Sequence, residues 1–275
     1  MVVCDFILIR LFVLNFYIYS CMYNPFSLSG KTIIITGASS GIGRQCAIDC
    51  SKMGATVVLI ARNEERLKET LSEMERPETH CYYSLDLGNP VGLTSIVKDI
   101  VMKKGKISGL VNCAGMSTVT PLKMMTEVLF DAICKINVFS ALNLTKEVCR
   151  MGNYSKDGCS VIFFSSIMGC VGEKGKALYS ATKGALIAAT RSLACELSSK
   201  GVRVNAISPG AIVTPINMNQ PYMADPEMRK ILEGKHLLGL GKVTDISQAC
   251  IFLLSDASRW ITGQNLVIDG GYTAQ

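Results

Sequence analysis

Thr36-Gly37-Ala38-Ser39-Ser40-Gly41-Ile42-Gly43 follows the β-branched run Thr32-Ile33-Ile34-Ile35 and leads into Arg44-Gln45-Cys46-Ala47-Ile48-Asp49-Cys50-Ser51-Lys52-Met53-Gly54. The first run reads as a buried parallel strand, because such strands are apolar on both faces. After the glycines, Ile42, Cys46, Ala47 and Cys50 recur at helical spacing, and Gly54 reads as the C-cap. The octapeptide is therefore a glycine-rich turn from a strand into a helix. Glycines let the backbone approach a bound group closely, and the first N–H groups of a helix lack internal partners, so such a turn can seat a diphosphate. Its spacing, G-x-x-x-G-x-G, is neither G-x-G-x-x-G nor a Walker loop, which needs Gly-Lys-Ser/Thr.

The rest of the chain limits what can surround that turn. With 275 residues, 49% hydrophobic and 18% charged, it can bury one α/β domain and is not disordered by composition. The net charge of +6 comes from scattered residues, with no basic stripe interleaved with aromatics, which argues against nucleic acid. Twelve cysteines contain no C-x-x-C pair, and only two histidines accompany them, which argues against a metal site. Cys46, Cys50, Cys113 and Cys250 fall on apolar helix faces or at a strand end, as reduced core thiols of a cytoplasmic protein would.

Residues 1–24 stand apart. Phe6 to Tyr19 is strongly apolar, but Arg10 and Asn15 lie inside it, Asp5 precedes it, and no A-x-A cleavage pattern follows. A membrane anchor, a signal peptide and a functional start at Met22 are the three readings; the start at Met22 is favoured and the anchor comes next.

From residue 25 onward strands and helices alternate. Strands are expected at Thr32–Ile35, Thr56–Ala61, His80–Leu85, Gly109–Gly115, Ser160–Ser165 and Val202–Ile207. Between them, helices are expected at about Arg62–Met74, Val91–Lys104, Glu127–Met151 and Ala177–Ser199. Such alternation implies crossover units and a doubly wound parallel sheet of about seven strands, of Rossmann type, with helices on both faces in a single domain. The segment from Ala211 to about Gly241 breaks the rhythm with Pro215, Pro221 and Pro226. It leaves the carboxyl edge of the sheet, where ligands of such folds bind, and reads as a substrate lid.

Tyr179-Ser180-Ala181-Thr182-Lys183 places Tyr179 and Lys183 on one helix face, thirteen residues after Ser166 at a strand end. With Asn137 upstream, these residues resemble the catalytic tetrad of the short-chain dehydrogenase/reductase family over essentially all of residues 28–275. Thr36–Gly43 resembles that family's T-G-x-x-x-G-x-G, and Asp86 its adenine-side acid. Asn112-Cys113-Ala114-Gly115 resembles N-N-A-G, with Cys113 in place of the second Asn, a departure that puts support of the central strand in question. Pro209-Gly210 with Thr214, and Gly263-Gln264 with Asp269-Gly270-Gly271, complete the match.

The resemblance implies hydride transfer between a nicotinamide and a carbonyl carbon, with Asn137, Ser166, Tyr179 and Lys183 catalytic. The cofactor would contact Thr36, Gly37, Ser39, Ser40, Gly41, Ile42, Gly43, Arg62, Asp86, Leu87, Asn112, Ala114 and Gly115. It would also contact Tyr179, Lys183, Pro209, Gly210, Ile212 and Thr214. Such chemistry needs a proton for the oxygen; free tyrosine is a poor base near neutrality, and a lysine ammonium nearby would lower its pKa. By resemblance Lys183 also holds the nicotinamide ribose, and Asn137 holds a relay water. The second strand ends in Ala61 where users of NAD carry an acid, and Arg62 follows, placed to pair with the 2′-phosphate of NADP, with Arg44 as a second positive group.

An NADP-dependent reaction between a ketone and a secondary alcohol is thus expected, on a small-molecule substrate, without metal or nucleic acid, in a homotetramer built through the helices at Glu127–Met151 and Ala177–Ser199. Lys200 keeps a 3-oxoacyl-[acyl-carrier-protein] reductase in view, although its second docking position aligns with Asp157, beside Lys156. A dinucleotide-binding sensor without catalysis is the alternative from another class, and the intact tetrad argues against it.

Overall fold

A computed structural model describes residues 23–275 apart from 216 and 219. The apolar extension up to Met22 lies outside the described residues. In chain order the elements are β1 (Thr32–Thr36), α1 (Gly41–Lys52), β2 (Thr56–Ala61), α2 (Glu64–Ser72), β3 (Cys81–Ser84), α3 (Leu93–Lys104) and β4 (Ile107–Asn112). There follow α4 (Glu127–Cys134), a π-helical turn (Lys135–Phe139), α5 (Ser140–Val148), β5 (Cys159–Phe164), α6 (Ala177–Leu197) and β6 (Val202–Pro209). The last are α7 (Pro221–Ala224), α8 (Pro226–Gly234), α9 (Val243–Leu254) and β7 (Asn265–Ile268).

The seven strands form one sheet in the order β3-β2-β1-β4-β5-β6-β7, and every pairing is parallel. Alternation along β1 shows why both faces must be covered. Ile33 and Ile35 enter a layer with Cys46 and Cys50 of α1, Leu67 of α2 and Ile246 and Cys250 of α9. Ile34 enters the opposite layer with Val97 and Ile100 of α3, Leu144 and Val148 of α5 and Leu186 of α6. The strand order reverses between β1 and β4, so the connections leaving their carboxyl ends run to opposite faces of the sheet, the position at which ligands of such folds bind.

Three expectations are corrected by tertiary contacts. The helix expected over Glu127–Met151 is broken by the π-helical turn and ends at Val148. The extra residue in that turn is compensated by hydrogen bonds from Asn137 to Met116 and Thr182, which pull this part of the helix toward α6. β4 ends at Asn112, because Cys113 and Ala114 give their N–H groups to the Thr36 hydroxyl rather than to a strand partner. The stretch read as an irregular lid contains α7 and α8. Asp225 caps α8 by accepting from the Met228 N–H at 2.8 Å, with Pro226 in the first turn, so a proline that reads as a breaker is here a helix start.

Candidate active site

The glycine turn is built for close approach. Gly37 has φ +67°, and a Cβ there would meet the Ala114 backbone at 3.1 Å. A Cβ on Gly43 would lie 2.5 Å from the Gly37 carbonyl oxygen, so the first turn of α1 can close on the loop only without a side chain. Ser40 caps α1 without a side-chain hydrogen bond, and the first turn holds no acid. The leading N–H groups are therefore left to an external anion, and Ser39, Ser40, Gly41 and Ile42 remain half-buried around them. Thr36 is fully committed to structure: its hydroxyl accepts from the N–H groups of Cys113 and Ala114, both at 3.0 Å, and so ties β1 to the chain leaving β4.

Along the rim, Arg62 is exposed, and among the described residues its guanidinium has no ion-pair partner. Glu64 and Glu65 instead bind Lys68 at 3.1 and 3.2 Å. Arg44, expected as a second positive group, is paired with Glu73. The carboxylate of Asp86 accepts from the Gly88 N–H at 2.9 Å, and Leu87 turns into the core.

The Asn112 side chain turns toward α5. It donates to the Thr145 hydroxyl there at 3.1 Å, while its Oδ1 is buried without a partner. Asn112 thus braces the end of β4 against α5 through its own side chain, independently of Cys113.

The four residues read as a tetrad are brought together where β5 meets the start of α6. Lys183 is buried and donates to the Phe164 carbonyl at 2.7 Å, with its nitrogen 5.6 Å from the centre of the Tyr179 ring. Ser165 donates to the Lys183 carbonyl at 2.8 Å and so fixes β5 to α6. Ser166 follows directly, its oxygen accepting from the Met168 N–H at 3.2 Å and its hydroxyl facing Tyr179. Asn137 is 1% exposed. Both its amide hydrogens are engaged, by the Met116 carbonyl and the Thr182 hydroxyl at 3.0 Å each, and its Oδ1 accepts from the Met116 N–H at 2.8 Å. Gly115 passes between these groups, since a Cβ there would lie 3.2 Å from Asn137 Oδ1 and 3.5 Å from Lys183 Nζ.

Ser166, Tyr179 and Lys183 form one wall of a cavity of about 440 Å³ at the carboxyl edge of the sheet. Pro209, Gly210, Ile212 and Thr214, just after β6, line the same cavity, as do Ile42 and Gly115. The opposite wall comes from residues that the spacing of motifs does not single out: Tyr222 of α7 and Met228, Ile231 and Leu232 of α8. Only the position of the proline-rich segment after β6 hints at them. His236 pins the end of that segment. Its Nε2 accepts from the Ala211 N–H at 3.1 Å, which places the ring proton on Nδ1, 2.8 Å from the Leu232 carbonyl.

Burial sets the electrostatics of this wall. The Tyr179 hydroxyl is pushed up to about 12 by desolvation, partly offset by its hydrogen bond with Ser166. Lys183 is pulled down to about 8, again by desolvation. In the ligand-free chain burial, rather than the Lys183 ammonium, sets the direction of the Tyr179 shift, opposite to the lowering expected from charge proximity alone. Burial thus favours the protonated form of Tyr179.

A family model described as "Enoyl-(Acyl carrier protein) reductase" matches residues 37–273. Cyclopentanol dehydrogenase of Comamonas testosteroni is 34% identical over 249 residues, covering 90% of this chain and 98% of that protein. The 3-oxoacyl-[acyl-carrier-protein] reductase FabG of Thermotoga maritima is 34% identical over 246 residues, with 89% and 98% covered. A gluconate 5-dehydrogenase from Burkholderia cenocepacia, solved with NADP and tartrate, superposes with a TM-score of 0.84 at 27% identity, over 91% of this chain and 98% of that one. The chain belongs to the short-chain dehydrogenase/reductase family, and it is an oxidoreductase that uses a nicotinamide dinucleotide.

The depressed lysine carries a signed consequence for stability. At pH values below about 8, Lys183 is charged in both the folded and the unfolded chain, and the full cost of its burial is present. Between about 8 and the ordinary value of 10.5 only the unfolded chain holds the proton, so stability contributed by this group rises with pH across that window. The rise should amount to about 3 kcal/mol relative to Lys183→Met, which cannot titrate. Denaturant midpoints of the two proteins at neutral pH and at about pH 10 check this; a difference between them that does not change with pH contradicts it.

Proposed function

We propose that this chain interconverts a ketone and a secondary alcohol with NADP, with Tyr179 as the proton donor to the carbonyl oxygen. The observation that carries the reading is the convergence of Ser166, Tyr179 and Lys183 on one buried wall of the cavity. When bound, the dinucleotide supplies the hydride. Ser166 holds the oxygen in place through its hydroxyl, and Tyr179 passes its phenolic proton to that oxygen as charge develops there. Lys183 keeps positive charge beside the tyrosinate so formed, and its N–H groups not used by Phe164 are free for the ribose hydroxyls. Asn137 keeps one lone pair on Oδ1 for a water, the other being taken by the Met116 N–H and both amide hydrogens being engaged. The apolar side chains of Met228, Ile231 and Leu232 line the cavity on the side of α8.

Selection of NADP rests on Ala61 and Arg62. No carboxylate stands at the end of β2 to hold the adenosine ribose, and an exposed guanidinium without a partner among the described residues follows it. The acyl-carrier-protein reading has less support: Lys156 and Lys200 precede β5 and β6, at the edge of the sheet opposite the cavity. A homotetramer is supported by Val128, Phe130 and Phe139, which are exposed on the long helical arm, and by the small exposed side chains Ala181, Ala185 and Ala188 at helical spacing on α6.

Three outcomes check this reading. Tyr179→Phe should retain dinucleotide binding and lose about 10²–10⁴ in turnover, as expected for a removed general acid; near-normal turnover contradicts the assignment. The unmodified protein should prefer NADPH over NADH by at least about tenfold in kcat/KM, and Arg62→Asp should erase or reverse that preference with little loss of turnover on NADH. Equal use of both cofactors by the unmodified protein would show that Arg62 does not read the phosphate. Sedimentation velocity at micromolar concentration should give a tetramer, and a stable monomer overturns the helical interface.

A further inference from the structure

Lys176 has no place in the chemistry described so far. It lies three residues before Tyr179, at the N-cap of α6, and only 7% of it is exposed. Its nitrogen sits 5.0 Å from the centre of the Tyr222 ring and 5.8 Å from that of Tyr179, and the residue lines the same cavity as Ser166. Among the described residues no carboxylate comes within ion-pair distance, and no oxygen accepts a hydrogen bond from it. Glu173, the acid acting on it and on Tyr222, lines the rim of the same cavity but is exposed and makes no ion pair with Lys176 among the described residues.

A buried ammonium in such surroundings is unfavourable on two counts. Loss of water is uncompensated by an anion, and the position at a helix N-terminus adds the positive end of the helix dipole. Burial accordingly pulls the Lys176 ammonium below the usual lysine range. The contacts with two aromatic faces recover part of the cost, but they leave every N–H of the ammonium without an acceptor among the described residues. Of the other basic groups at the cavity, Lys183 already donates to the Phe164 carbonyl and stands at the reacting end beside Tyr179, away from the Lys176–Tyr222 pair that would hold the carboxylate. Both nitrogens of His236 are engaged by backbone groups, and Lys235 is exposed with its nitrogen over Tyr272.

We propose that Lys176 receives a carboxylate of the substrate, so that the molecule handled here is an oxo acid or hydroxy acid rather than a neutral ketone or alcohol. The inference rests on the ketone–alcohol reading above and specifies its substrate class. The reacting oxygen lies between Ser166 and Tyr179, the carboxylate between Lys176 and Tyr222, and the carbon chain joining them faces Met228, Ile231 and Leu232. The substrate has one polar end that reacts and one charged end that anchors.

The test compares linear oxo acids of increasing length with their methyl esters, in NADPH-oxidation kinetics and in calorimetric titration of the NADP-loaded protein with the matching hydroxy acids and hydroxy esters. The acid should exceed its ester by at least about tenfold in kcat/KM for the chain length that fits, with the difference mainly in KM, as a charge-assisted pair requires. Lys176→Met should collapse that ratio toward unity, and Lys176→Arg, which keeps the charge, should retain most of it, so a folding defect is separated from loss of charge. Esters used as well as acids, or an acid-to-ester ratio unchanged in Lys176→Met, overturn the carboxylate anchor while leaving the ketone–alcohol reading standing. If no ketone of either kind is reduced, that broader reading fails, and the calorimetry decides the anchor alone: acids bound no more tightly than esters overturn it.

Discussion

The hydrogen bond from Lys183 to the Phe164 carbonyl, 2.7 Å long and buried, is the constraint on which the site depends. It fixes the first turns of α6 against the end of β5, and with Ser165 bonding back to the Lys183 carbonyl it sets the rotation of that helix. The rotation in turn decides that Tyr179 faces Ser166 and that Thr182 faces Asn137. The π-helical turn completes the arrangement from the other side, since Asn137 clamps the Met116 backbone and Thr182 at once. A charged group is costly to bury, and this one is held where its removal would leave a strand-end carbonyl unpaired and α6 free to shift.

The second half of the site follows from the sheet. The strand order reverses between β1 and β4, and Thr36 joins the glycine turn after β1 to the segment after β4 through its hydroxyl. Contact with backbone demands glycine at 43 and, together with a positive φ, at 37, whereas at 41 the positive φ alone does. The segment after β6 lines the other side of the cavity, held at its far end by His236 against Ala211. The glycine-turn side and the side built after β6 thus meet at the wall formed by Ser166, Tyr179 and Lys183.

What the sequence discloses and what it hides divide along physical lines. The strands were legible because Ile33, Ile34 and Ile35 are apolar on alternate faces, and the site because Ser166, Tyr179 and Lys183 keep a spacing that one strand end and one helix can satisfy. Features made by long-range contacts were not legible. The π-helical turn at Asn137 exists through bonds to Met116 and Thr182, far away in sequence. Asn112 faces α5, and Arg44 is neutralised by Glu73, because strand facing and helix neighbours are settled only on packing. The direction of the Tyr179 shift was misjudged for the same reason: charge proximity can be read from spacing, whereas the desolvation that outweighs it depends on the lid and on the depth of the wall. Lys176 was invisible as a site residue, since a lysine near a helix start ordinarily lies in water.

The central claim is that burial keeps Tyr179 protonated beside a lysine of lowered pKa, poised to donate. Ultraviolet titration of tyrosinate in the ligand-free protein, taken as the difference between the unmodified chain and Tyr179→Phe, measures this group directly. The account predicts that the difference shows no ionisation up to the ordinary tyrosine value of 10, consistent with a hydroxyl held near 12. A tyrosine that ionises below 10 would show that the Lys183 charge, and not desolvation, governs the site.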